Sequence, residues 1–179
     1  MFQYIAFLRA INVGGRSVKM ADLRDLFITL GFADIQTYIQ SGNVLFTSPN
    51  PDPNKLAQNI EAGLSATLGY DVPTFLRTTT ELIDIANYTP FPDDAKDEGT
   101  LYVSFLPQEP AAAQQQALLA LATDTDSFHI YRDQVYWLYR RSLGASAYTN
   151  ADVEKTLGMA ATRRNINTIH KIVAKYLSV

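Results

Sequence analysis

An α+β fold in two lobes is what this sequence predicts. Three observations carry the expectation. Apolar runs and helical stripes follow one another in the order strand, helix, strand, strand, helix, strand. Residues 87–99 then lose all periodicity, and the order strand, helix, strand, strand begins again after them.

Residues 3–8 mix aromatic and aliphatic side chains and read as a first strand. Met20, Leu23, Phe27 and Leu30 recur at helical spacing, with Gly31 as the stop. Asp34 to Ile39 and Val44 to Phe46 are short strands joined through Ser41-Gly42-Asn43, so an antiparallel hairpin is expected. Asp52-Pro53 opens a second helix, whose buried stripe is Leu56, Ile60, Leu64 and Leu68 and whose end is Gly69. Val72 to Arg77 supplies a fourth strand, completing a ferredoxin-like βαββαβ unit over residues 1–86. Thr78 and Glu81 form a capping box for a short helix to about Ala86.

Two prolines, a glycine and five charged residues mark 87–99 as a linker or loop. The second lobe, 100–179, starts with a strand at Thr100 to Leu106, followed by a helix from Pro110 to about Ala122. A hairpin of Phe128 to Tyr131 and Val135 to Tyr139 comes next. A short helix near Ala151 to Leu157 ends at Gly158, and a last helix runs from about Asn165 to Leu177. An internal duplication of a ferredoxin-like lobe is expected, although no repeated sequence marks it.

Composition narrows the chemistry. The 179 residues include no cysteine, which removes disulfides, thiolate catalysis and cysteine-ligated metals and fits a cytoplasmic protein. No apolar run approaches the roughly 20 residues of a membrane helix, and Met1 to Ile5 has no basic region before an apolar one, so it reads as a strand rather than a signal peptide. The net charge of −3 is uneven: residues 1–80 balance, 81–133 carry −8 and 134–179 carry +5. Asp93, Asp94, Asp97 and Glu98 read as solvated loop charge rather than a metal site. His129 and His170 lack metal-like partners at short spacing; His129 is expected to face outward. No metal and no cofactor is called for.

Three polar knots interrupt the apolar pattern. The first strand runs into Leu8-Arg9-Ala10-Ile11-Asn12-Val13-Gly14-Gly15, just ahead of the helix that begins near Lys19. Paired glycines free the backbone to turn successive N–H groups into one concavity, an anion-binding nest. Arg16 and Lys19 put cations where the helix dipole disfavours them, by a few tenths of a kcal/mol, which a bound anion would reverse. The spacing is not that of a P-loop, and no dinucleotide fingerprint is present. The second knot is Gln40-Ser41-Gly42-Asn43; the third is Thr162-Arg163-Arg164-Asn165, read as opening the last helix, with Thr162 or Asn165 as cap. Adjacent guanidinium groups suit a phosphate or carboxylate. Each knot also has a plainer account as turn or cap chemistry, and the aromatic run Tyr136-Trp137-Leu138-Tyr139 reads as core.

These residues carry a family resemblance. Leu8 to Gly15, Lys19 to Arg24, Thr37 to Val44 and Thr162 to Thr168 together resemble the DUF1697 family of functionally uncharacterised bacterial proteins. The family pattern reads Arg-Gly-Ile-Asn-Val-Gly-Gly, from which Ala10 departs; Arg163 and Ile166 stand where it has Thr and Trp. The resemblance implies two related ferredoxin-like lobes and no particular reaction.

The functional expectation is a small anionic ligand, a nucleotide or phosphorylated metabolite, in a cleft between lobes. Arg9, Asn12, Gly14 and Gly15 would orient it, Lys19 and Arg164 would neutralise it, and Ser41, Asn43 and Asn165 would fix its polar edge. The alternatives are single-stranded nucleic-acid binding, favoured by the basic C-terminal third, and a protein-interaction module without a ligand. No general base can be named, so the sequence does not decide whether the protein is an enzyme.

Overall fold

The computed structural model describes residues 1–12, 14–92 and 99–177. The chain divides into two compact units, Met1–Ile85 and Ala86–Val179. The acidic cluster from Asp93 to Glu98, and Val13 of the first knot, lie outside the described residues.

The first lobe runs β1 (Phe2–Leu8), α1 (Met20–Thr29), β2 (Ala33–Tyr38), β3 (Asn43–Ser48), α2 (Pro53–Leu68) and β4 (Thr74–Thr78), followed by α3 (Thr79–Asn87). Its sheet is antiparallel, in the order β2-β3-β1-β4, so the first strand is central. Tyr4, Ala6 and Leu8 of β1 point to one face, where they pack with Leu23 and Phe27 of α1 and with Leu56, Ile60 and Leu64 of α2. α2 starts where Asp52 accepts from the Asn54 and Lys55 amides and stops at left-handed Gly69. The Thr78–Glu81 capping box forms as the sequence predicts.

The second lobe repeats the plan: β5 (Thr100–Phe105), α4 (Ala112–Leu119), β6 (Asp126–Tyr131), β7 (Gln134–Tyr139), α5 (Asn150–Leu157), β8 (Thr162–Asn165) and α6 (Ile166–Ile172), which continues as a π-helical turn over Val173–Leu177. The order β6-β7-β5-β8 matches that of the first sheet. The fold is thus α+β, with two ferredoxin-like lobes of the same topology.

Strand register makes the duplication residue-specific. Leu8 and Leu106 each donate a backbone N–H to the loop residue before the third strand, Gly42 and Asp133. Counting back from them equates Phe7 with Phe105, Ala6 with Ser104, Ile5 with Val103 and Tyr4 with Tyr102. Opposite Ile5 stands Arg77 and opposite Val103 stands Arg164. Both arginines are buried, and each donates from Nη1 to the carbonyl of its preceding residue, at 2.7 Å in Arg77 and 3.0 Å in Arg164. Asn43 and Gln134, which open the two third strands, are likewise both buried polar residues.

One local expectation is corrected. Thr162–Asn165 is itself a strand, β8, which pairs with β5 and completes the second sheet; the last helix starts directly after it with Asn165, one of the two expected residues, as its cap. Its four polar side chains carry no strand signal of their own. Arg163 is held on the helix-covered face, its guanidinium 4.5 Å from the Tyr102 ring centroid and 4.7 Å from that of Trp137.

Candidate functional site

The first two knots meet. The Asn12 carboxamide donates to the Gln40 carbonyl at 2.8 Å and accepts from the Val18 amide at 2.6 Å, so one side chain ties the β1–α1 loop to the β2–β3 turn. Gly42 completes the junction. It has φ +70°, and a Cβ there would lie 2.7 Å from Ile11 Cγ2 and 3.0 Å from Leu8 Cβ. Asn43 is fully buried and donates to Ser41 Oγ at 2.8 Å and to the Tyr38 carbonyl at 3.0 Å. Ser41 and Asn43 therefore close the turn from within.

Around this junction the predicted residues differ in what they present. The Arg9 amide donates to the Pro73 carbonyl at 2.9 Å, and its side chain is half-buried. Gly14 and Gly15 are exposed, with φ +64° and +83° and open space where side chains would project. Both glycines have the same hand, whereas an alternating right-left pair is the usual anion nest. Arg16 lays its guanidinium 4.1 Å from the Tyr70 ring centroid. Lys19, the residue before α1, is exposed and does not cap the helix with its side chain. Asp22 lies in the first turn and complements the dipole there.

In the second lobe the third knot divides. Arg164 is buried, donating to Thr162 Oγ1 at 2.9 Å and to the Arg163 carbonyl. Burial brings its pKa down to about 10, so it stays charged at neutral pH. Asn165 caps α6, accepting from the Asn167 amide at 2.8 Å.

Asn165 also lines a cavity of about 500 Å³ in this lobe. The end of α3 contributes Asn87, and the segment after it contributes Tyr88 and Phe91. β5 contributes Thr100 and Leu101, and the start of α6 contributes Ile166, Asn167 and His170. His170 Nε2 lies 2.9 Å from the Ala86 carbonyl, which can only accept, so the neutral ring carries its proton on Nε2. His129 is half-buried rather than outward-facing: its Nε2 lies 2.8 Å from the Tyr88 hydroxyl, and burial lowers its pKa. Of these groups, only Asn165 was singled out as a ligand residue from the sequence. The usable signal for the others was the aperiodic run after α3, since long irregular segments in compact folds are often functional.

No group of three or more His, Asp or Glu among the described residues is placed to hold a metal ion. No described helix is long and apolar enough to cross a membrane. Trp137 and Tyr136 are buried within the second sheet, so they offer no stacking surface for bases.

Fold and residues together define a class, α+β proteins made of two like ferredoxin-type lobes with polar loops at their strand ends. Within it, the chain belongs to DUF1697, a protein family of unknown function whose profile matches residues 1–136. The conserved bacterial protein SP0830 from Streptococcus pneumoniae has a similar structure, with a TM-score of 0.76 at 20% identity over 99% of each chain. No curated protein matches the chain.

Proposed function

We propose that this protein binds a small anionic ligand at the first-lobe junction, through the open start of α1. The observation that carries the reading is Lys19: it is exposed, it precedes a helix that no side chain caps at that position, and it follows the exposed Gly14-Gly15 pair by four residues in the same loop. Uncapped helical N–H groups and an adjacent ammonium are the elements from which phosphate sites are built. Arg9 stands at the other end of the same loop. Asn12 holds that loop against the β2–β3 turn, and a loop fixed in advance lowers the ordering cost of binding, which supports the reading.

The anion is a phosphate or carboxylate of a nucleotide or phosphorylated metabolite. Thermal denaturation of the full chain with inorganic phosphate, pyrophosphate and nucleotides tests the reading. A ligand at about 100 times its dissociation constant adds roughly 2.7 kcal/mol to stability. The expected result is a stabilising shift with a phosphate compound, reduced about tenfold in affinity by Lys19→Ala. Absence of a shift from every anion, or equal affinity in Lys19→Ala, would reject it.

A further inference from the structure

We infer that the second-lobe cavity is a separate binding site for an uncharged, flat nitrogen heterocycle of the nucleobase class. Its described walls combine carboxamides and hydroxyls with flat or apolar side chains, and none of them belongs to the loop proposed to hold an anion.

Size comes first. About 500 Å³ lies within the roughly 300–1,000 Å³ of small-molecule pockets. Polarity comes second. The described walls include three carboxamides, Asn87, Asn165 and Asn167, and the hydroxyls of Thr89 and Thr100. They include no lysine, arginine, aspartate or glutamate. Among the described wall residues a formally charged ligand meets no opposite charge, whereas an uncharged ligand needs only hydrogen bonds to replace those it loses from water.

The third consideration is which hydrogen bonds remain available. Asn165 Oδ1 already accepts from the Asn167 amide, so its NH₂ is the group left for a ligand. Asn167 uses only its backbone in that cap, which leaves a carboxamide with both donor and acceptor two residues away. His170 directs Nε2–H to Ala86, so Nδ1 is left as an acceptor. Paired donors and acceptors on a short arc match the edge of a base or a cyclic amide, as Asn and Gln do when they read adenine. The rest of the wall is flat or apolar: Tyr88, Phe91, Leu101, Leu138 and Ile166. Such surfaces hold the faces of an aromatic ring while its edge is read.

The test uses the full chain labelled with ¹⁵N, titrated with adenine, cytosine, uracil, nicotinamide and the ribonucleosides. The side-chain amide resonances of Asn165 and Asn167 are followed. Saturable shifts of both are expected with at least one of these compounds. Asn167→Ala, which removes an exposed side chain, should weaken that binding about tenfold. Ile166→Trp should abolish it by filling the cavity while the amide spectrum stays folded, and Lys19→Ala should leave it unchanged. The inference is overturned if no compound shifts these resonances up to its solubility limit. It is also overturned if folded Ile166→Trp binds as tightly as the parent, or if only phosphorylated compounds bind and do so through Lys19.

Discussion

Gly14 and Gly42 both have positive φ, yet they answer to different constraints. Around Gly14 there is open space, so a side chain would meet only the backbone penalty of a left-handed residue, about 1–2 kcal/mol. At Gly42 the same penalty applies, and the added methyl would also collide with Ile11 and Leu8 in the packed junction. Gly42→Ala should therefore cost about 2–4 kcal/mol, and Gly14→Ala about half as much. Urea denaturation would show the difference as a lower midpoint with an unchanged slope. Equal costs would mean that the junction yields easily and that Gly42 serves only its own turn. The distinction matters for the proposed anion site, because the residues that exclude a methyl at Gly42, Leu8 and Ile11, flank Arg9 at the start of the loop that carries Asn12 and the glycine pair.

At the scale of elements, legibility followed local chemistry. α2 could be read from Asp52, Pro53 and a clean apolar stripe, and α3 from Thr78 and Glu81, because cap and stripe lie within one segment. β8 could not. Thr162-Arg163-Arg164-Asn165 has no apolar alternation, and its strand state comes from backbone pairing with β5, about 60 residues earlier in the chain. Arg164, expected to neutralise a ligand, is instead buried by its position in that strand. The junction between Asn12 and the 40–43 turn was only half legible: both polar knots were visible, but their contact depends on β1 lying beside β3. The second-lobe cavity was hardly legible, since its described walls come from four separated segments. β6 carries a prediction of its own. His129 is partly desolvated beside Tyr88, so its folded pKa lies below the unfolded value near 6.5. Between the two values the unfolded chain binds more protons. Its contribution to stability is therefore present above the unfolded pKa and is lost as pH falls through the folded one. Melting temperatures measured from pH 7.5 to pH 5 should fall more steeply for the parent than for His129→Gln. Parallel curves would show that the folded protein does not lower the His129 pKa.

On the scale of the whole molecule, the duplication lets each lobe serve as a control for the other. Ser104 and Ala6 occupy the same position, directly before Phe105 and Phe7 in their respective central strands. Both are fully buried, but Ser104 Oγ has no hydrogen-bond partner among the described residues. A buried hydroxyl left unsatisfied costs about 1–3 kcal/mol, while a methyl at that place in the first lobe packs directly into the core. The repeat thus supplies its own answer to what the site prefers. Ser104→Ala should stabilise the chain by about 1 kcal/mol, and the reciprocal Ala6→Ser should destabilise it by about 1–3 kcal/mol. Chemical denaturation of the two variants and the parent would check both signs. Should Ser104→Ala destabilise instead, the hydroxyl has a partner that the described residues do not reveal, and the second lobe would hold an internal polar contact that its counterpart lacks. With both signs as expected, the serine is a local defect that the repeat tolerates. The shared topology and the matching buried arginines are then what the two lobes hold in common, and Ser104 is a point at which they differ.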